Sequence, residues 1–111
     1  VRVGEKILFL KMTATAWVYI LTNKGRTTLY VGVTTDLRSR LWEHQTKQSE
    51  KSFASRYNLT VLIYYEGYET ITDAIVREKY IKGKSRKWKE DLINSKNATW
   101  KDLSSHVDSL V

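Results

Sequence analysis

Two runs rich in β-branched and aromatic residues, Trp17–Thr22 and Thr27–Val33, are separated by four residues of turn chemistry, Asn23-Lys24-Gly25-Arg26. So short a connection leaves an antiparallel hairpin as the way to pair them. A four-residue loop sets Thr22 against Thr27 and therefore Tyr19 directly opposite Tyr30, two phenols on one face of the sheet. A slip of one residue would separate them. Leu59–Glu66 is nearly continuous in apolar residues and reads as a third strand, central or covered on both faces, with Gly67 ending it.

The rest of the chain alternates helix signals with these strands. Asp36 opens a helix expected to run to about Thr46, with Leu37 and Leu41 as its buried stripe. Thr70-Ile71-Thr72-Asp73 resembles a capping box and starts a second helix that continues to Ile81; Ser85 starts a third, burying Trp88, Leu92 and Ile93. Trp100 and Leu103 should pack the tail back on the domain, and Ser104 to Val111 should fray. With 111 residues, 41% of them apolar, the chain suffices for one domain with a core of its own. Residues 1–15 read as a leader or N-terminal extension, 16–104 as the domain and 105–111 as a tail, with Met12 hinting at the natural start.

Composition narrows the chemistry. There is no Cys, which excludes disulfides, thiolate zinc sites and cysteine nucleophiles, and two His cannot form a three-histidine metal centre. Any metal must rest mainly on carboxylates. No apolar run approaches the roughly 18 residues that span a bilayer, so membrane insertion and secretion are unsupported and a cytoplasmic protein is expected. A formal charge of +7 favours an anionic partner, nucleic acid first. Gln45–Asn58 reads as a basic loop whose Lys47, Lys51 and Arg56 are candidate phosphate contacts, as are Arg86 and Lys87 on the third helix.

Three further positions carry candidate chemistry. Gly32 permits close approach of another group to the backbone. Arg40 and His44 share one flank of the first helix at the spacing of adjacent turns, which can set a guanidinium and an imidazole in one cleft or, as readily, leave both as boundary residues. On the second helix, Ile71, Ala74, Ile75 and Ile81 form an apolar arc with Glu78 projecting into its middle. A carboxylate placed so needs a cation, hydrogen-bond donors or a metal.

The residues Val18-Tyr19-Ile20, then Tyr30-Val31-Gly32, then Asp36-Leu37 and Arg40-Leu41, resemble the signature of the GIY-YIG nuclease domain. Arg77-Glu78-Lys79 and Trp100-Lys101-Asp102-Leu103 resemble its small, stand-alone bacterial members. The resemblance runs from about Ala16 to Ser104 and implies an α/β (α+β) domain, a three-stranded antiparallel sheet flanked by helices. It also implies an endonuclease that hydrolyses DNA phosphodiesters with one Mg²⁺ or Mn²⁺ ion. By position it makes Tyr19 and Tyr30 the motif tyrosines, Arg40 the phosphate clamp, Glu78 the metal ligand, His44 a residue near the reaction centre and Asn97 a supporting polar group. Trp17 stands where the family name places Gly, and Val33 where some relatives carry Lys, which shifts the electrostatic burden towards the metal and Arg40.

Phosphodiester hydrolysis needs an oriented water, a proton acceptor and stabilisation of charge on the phosphoryl oxygens. Tyr19, Tyr30 and His44 are rival proton acceptors, and a free phenol, with a pKa of about 10, is poorly matched to neutral pH. The expected partner is DNA, including branched or damaged forms, read with low intrinsic specificity; no membrane partner is expected, and the oligomeric state stays open. Two other functions fit the same sequence: a nucleic-acid-binding module without catalysis, and a basic protein-interaction domain.

Overall fold

The computed structural model describes residues 13–46 and 56–110. Residues 1–12 of the expected leader at 1–15, and the candidate contacts Lys47 and Lys51, lie outside the described residues, while Thr15 already joins the domain, its N–H donating to Tyr68 O at 2.9 Å. The elements are β1 (Ala16–Thr22), β2 (Leu29–Thr34), α1 (Leu37–Gln45), β3 (Val61–Tyr68), α2 (Ile71–Lys82), α3 (Arg86–Lys96) and a 3-10 helix (Ser104–Leu110). The strands form one antiparallel sheet in the order β2-β1-β3, an α+β architecture.

Each helix starts where a side chain can satisfy its first unpaired backbone donors. Asp36, Thr70 and Ser85 accept from the backbone N–H groups of Ser39, Asp73 and Trp88 at 3.1, 3.2 and 3.1 Å. The sheet then carries a core on each face. Val18, Ile20, Val31 and Ile63 pack with Ala74 and Ile81 of α2 and Ile93 of α3. On the opposite face, Trp17, Tyr19, Leu21 and Leu62 pack with Leu37 and Leu41 of α1, and with Leu59 and Val107. All seven residues of β1 are buried, as a strand covered on both faces requires.

The hairpin register differs from the four-residue-loop expectation. Tyr19 pairs with Gly32, and Tyr30 pairs with Leu21. The loop is six residues because the Asn23 side chain takes over the pairing: its Oδ1 accepts from the N–H groups of Thr27 and Thr28 at 2.8 and 3.3 Å, while Thr22 Oγ1 donates to Thr28 O at 2.8 Å. Arg26 adopts a left-handed φ of 57° to close the turn. A shift of two residues keeps every side chain on its expected face, so the tyrosines remain neighbours, now on a diagonal.

Three other expectations change. β3 is an edge strand by order and starts and ends two residues later than predicted, with Gly67 inside it opposite Trp17. A Cβ at Gly67 would stand 2.8 Å from both Ala14 Cβ and Trp17 Cζ3, so the glycine makes room for the indole and does not terminate the strand. The edge is closed by the C-terminal segment, where Leu103 N–H donates to Leu62 O at 2.7 Å and Leu62 N–H to Asp102 Oδ1 at 3.3 Å. On α2, Ala74, Glu78 and Ile81 are buried, but Ile71 and Ile75 are 39% and 36% exposed, because the helix turns its apolar arc towards α3 and the sheet and leaves these two on the rim. The expected loose tail is a 3-10 helix that buries Val107 against α1.

β3 also carries a partly buried charge network that its reading as an apolar strand does not anticipate. The Arg77 guanidinium donates in a fork to Glu66, Nε to Oε1 at 2.9 Å and Nη2 to Oε2 at 3.0 Å. Tyr68 Oη donates to Oε1 at 2.7 Å, and Tyr64 Oη donates to Oε2. Burial pushes the Glu66 carboxyl upward, but the hydrogen bonds from Arg77, Tyr64 and Tyr68 and the guanidinium charge outweigh it and hold the pKa below the ordinary value. The alternation Tyr64, Glu66, Tyr68 on one strand face was the available signal. This network fastens α2 to the sheet at the residue next to Glu78.

Glu66→Gln leaves the partly buried guanidinium without its counter-charge and should cost about 3 kcal/mol at neutral pH. Because the folded pKa is depressed, that contribution is complete above the ordinary value of 4.5 and is lost as pH falls through the folded value. Urea unfolding across a pH series should therefore show the two proteins converging in acid. A constant difference at every pH would refute the network's role.

Candidate active site

The site is built on the α1 face of the hairpin. β1 presents Tyr19, β2 presents Tyr30, and α1 brings His44 over both. Ring centroids are 6.3 Å apart for Tyr19 and Tyr30, 6.1 Å for Tyr19 and His44, and 5.9 Å for Tyr30 and His44. Tyr19 Oη and His44 Nε2 stand 3.3 Å apart, within hydrogen-bonding distance, either one donating according to the imidazole tautomer.

Gly32 makes this cluster possible. A Cβ on Gly32 would stand 2.5 Å from Tyr19 Oη and 2.9 Å from its Cε1, so the phenol lies flat across the bare backbone of β2. The predicted close approach at Gly32 is an approach by Tyr19.

Arg40 lies one turn before His44 on α1 and is close enough for its charge to pull down the pKa values of both Tyr19 and His44. Its salt bridge to Glu43 is 3.7 Å long, with the two side chains 45% and 49% exposed, which is a weak hold on the guanidinium. Glu78 comes from the other side of the sheet, on α2, which packs against both β1 and β2. It is 8% exposed, its Oε1 is 2.9 Å from Lys82 Nζ, and its charge raises the pKa of Tyr19. Tyr19 thus feels groups from both faces.

The protonation states follow from burial. Desolvation holds the Tyr19 phenol well above the usual tyrosine range, with Tyr30, Glu43 and Glu78 pushing the same way and Arg40 opposing. For His44, burial and then the Arg40 charge lower the pKa against an opposing pull from Glu43. At neutral pH the pair is a neutral phenol beside a neutral imidazole. Such an imidazole has a lone pair to accept a proton, whereas Tyr19 resists losing one.

The other candidates lie apart from this cluster. Arg86 donates to Glu90 Oε2 at 2.9 Å, Thr27 O at 2.6 Å and Arg26 O at 3.3 Å, so its guanidinium clamps the β1–β2 loop onto α3. Lys87 is exposed and pairs with Asp91 at 2.7 Å. Asn97 is buried and staples the tail to β3, donating to Ile63 O and Lys101 O at 3.0 and 2.9 Å and accepting from Lys101 N–H at 3.2 Å. Arg56 is exposed at the start of the segment leading into β3.

The donor set limits which metal the described residues could hold. Among the described residues no group of three or more His, Cys, Asp or Glu side chains is arranged to hold an ion. That excludes a zinc-type cage there and fits a hard cation held by one carboxylate, with waters and substrate oxygens completing its shell. Glu78 is a carboxylate of that kind, with a side chain that keeps 11% exposure to solvent.

Residues 15–91 match the GIY-YIG catalytic domain. The chain belongs to the GIY-YIG family of nucleases. Over 82 residues it is 30% identical to a UPF0213 protein of Yersinia pestis (strain Pestoides F), covering 74% of this chain and 85% of that protein. A UPF0213 protein of Yersinia pseudotuberculosis (strain YPIII) shows the same identity and coverage. The solution NMR structure of a UPF0213 protein from Bacillus halodurans superimposes with a TM-score of 0.50 at 28% identity, covering 78% of this chain and 89% of that one. The strand order and the helices on both sheet faces therefore belong to a GIY-YIG domain, as the motif residues implied. No described helix is long and apolar enough to cross a membrane.

Adding one methyl group at Gly32 must push the Tyr19 ring off β2, since the sheet backbone cannot retreat. Gly32→Ala should cost about 1–3 kcal/mol and break the Tyr19–His44 contact. Thermal melting together with the histidine side-chain NMR signals would check this; an unchanged melting point and unchanged His44 signals would contradict the close approach.

Proposed function

We propose that the protein is a divalent-metal-dependent endonuclease that hydrolyses DNA phosphodiester bonds with low intrinsic sequence specificity. The observation that supports this most is the convergence on Tyr19: a neutral imidazole in contact, a weakly held guanidinium within electrostatic reach, and a nearly buried carboxylate acting from the opposite sheet face. These are the groups that phosphodiester hydrolysis requires.

In this reading Arg40 leaves Glu43 for the scissile phosphate, where its fork of donors matches two phosphoryl oxygens. His44 accepts a proton from the attacking water, directly or through the Tyr19 hydroxyl. Tyr30 packs against the imidazole and fixes its plane. Glu78 would hold one Mg²⁺ or Mn²⁺ ion, which when bound supplies Lewis-acid stabilisation of charge developing on the phosphate oxygens. The formal charge of +7 supports binding through phosphates, and phosphate contacts carry no base sequence, hence the low specificity.

The test is nicking of supercoiled, linear and branched DNA with Mg²⁺, Mn²⁺ or EDTA, for wild type and Glu78→Gln. Metal-dependent nicking should fall about 10²-fold or more in the variant, while folding survives because the partner left behind, Lys82, is solvent-exposed. Undiminished metal-dependent nicking by Glu78→Gln would overturn the assignment. Salt-sensitive DNA binding without cleavage by wild type would replace it with a binding module, and no binding at all with a protein-interaction domain.

A further inference from the structure

Glu78 carries a cation already. Lys82, one turn further along α2, sets Nζ 2.9 Å from Glu78 Oε1, the carboxylate side chain being 11% exposed and the lysine 52%. On the helix, Ile71, Ile75, Glu78 and Lys82 follow the i, i+4, i+7, i+11 spacing of one flank, so the ammonium sits at the mouth of the carboxylate between solvent and a partly exposed apolar shoulder.

We propose that Lys82 is an internal counter-cation that occupies the place of the divalent ion in the metal-free protein and is exchanged for it when metal binds. The inference rests on the reading of Glu78 as the metal ligand and concerns what holds that ligand before the ion arrives. A nearly buried carboxylate with no compensating charge is costly, so the ammonium keeps the metal-free fold intact. A divalent ion at the same oxygen and an ammonium at 2.9 Å from it repel each other, so one displaces the other. The lysine can leave at small cost because its stem is half in water and its tetrahedral head makes no fork that must be broken. Once released, it stands beside the site as a cation with a phosphate-rich substrate within reach. Arg77, another cation on α2, cannot act in this way because Glu66 holds the Nε–Nη2 edge of its guanidinium in a fork.

This predicts an opposite sign from a merely structural ion pair. If Lys82 orients Glu78 for the metal, removing it weakens metal binding; if it competes with the metal, removing it strengthens binding. Mn²⁺ titrations followed by electron paramagnetic resonance and calorimetry, on wild type, Lys82→Met, Lys82→Arg and Glu78→Gln, separate these cases. Lys82→Met should bind Mn²⁺ about five- to tenfold more tightly, Lys82→Arg should stay near wild type, and metal-free Lys82→Met should melt lower yet gain more from Mn²⁺ than wild type does. Unchanged or weaker binding in Lys82→Met, with binding still lost in Glu78→Gln, would overturn the exchange alone. Binding unaffected by Glu78→Gln, or no saturable binding in wild type and Lys82→Met, would overturn the ligand assignment and the exchange with it.

Discussion

The pairing of Tyr19 with Gly32 is the constraint on which the site depends. A phenol laid across a neighbouring strand needs a residue there without a side chain, and among the strand residues opposite β1 in this hairpin Gly32 is the one that offers it. The register is set at some distance, by Asn23 and the hydroxyl of Thr22 capping a six-residue turn. With the register fixed, Tyr30 falls on the diagonal from Tyr19, and Leu37 and Leu41 seat α1 so that His44 closes over both rings. Loop chemistry thus determines the geometry of the candidate site.

The second support is electrostatic. Glu66 and Arg77 fasten α2 to β3 by a forked, nearly buried pair, and the next residue is Glu78. Charge is then divided by duty. Arg26, Arg77 and Arg86 donate to carbonyls and carboxylates that join loops, helices and strands, while Arg40 and Lys82 have side chains about half exposed and, among the described residues, ion pairs only to a carboxylate of their own helix. A positive net charge alone cannot make this distinction; the partner of each cation does.

Much of this was legible in the amino-acid order. Three caps, both helix boundaries of α1, the buried Leu37 and Leu41, and the burial of Glu78 follow from local chemistry and helical periodicity, which act over one or two turns. The positions that escaped depend on longer-range terms. The extra two loop residues reflect an Asn23 side chain substituting for ladder hydrogen bonds, and the exposure of Ile71 and Ile75 reflects how far α2 rolls against α3 and the sheet. Glu66 reads as the polar end of an apolar strand, although tyrosines two residues to either side mark its face. Arg86, read as a phosphate contact from charge, proved to have backbone carbonyls from the hairpin loop as partners, which no local pattern announces.

In the proposed function the Glu78 carboxylate on α2 and the Tyr19–Tyr30–His44 cluster on the α1 face act together on one phosphate. Paramagnetic broadening by Mn²⁺ in the amide and side-chain NMR spectrum reads that directly. Broadening should centre on Glu78, spread to Gly32, Tyr19, His44 and Arg40, and disappear in Glu78→Gln. Broadening that stays on the outer surface of α3, around Glu90 and Asp91, and persists in Glu78→Gln would contradict it.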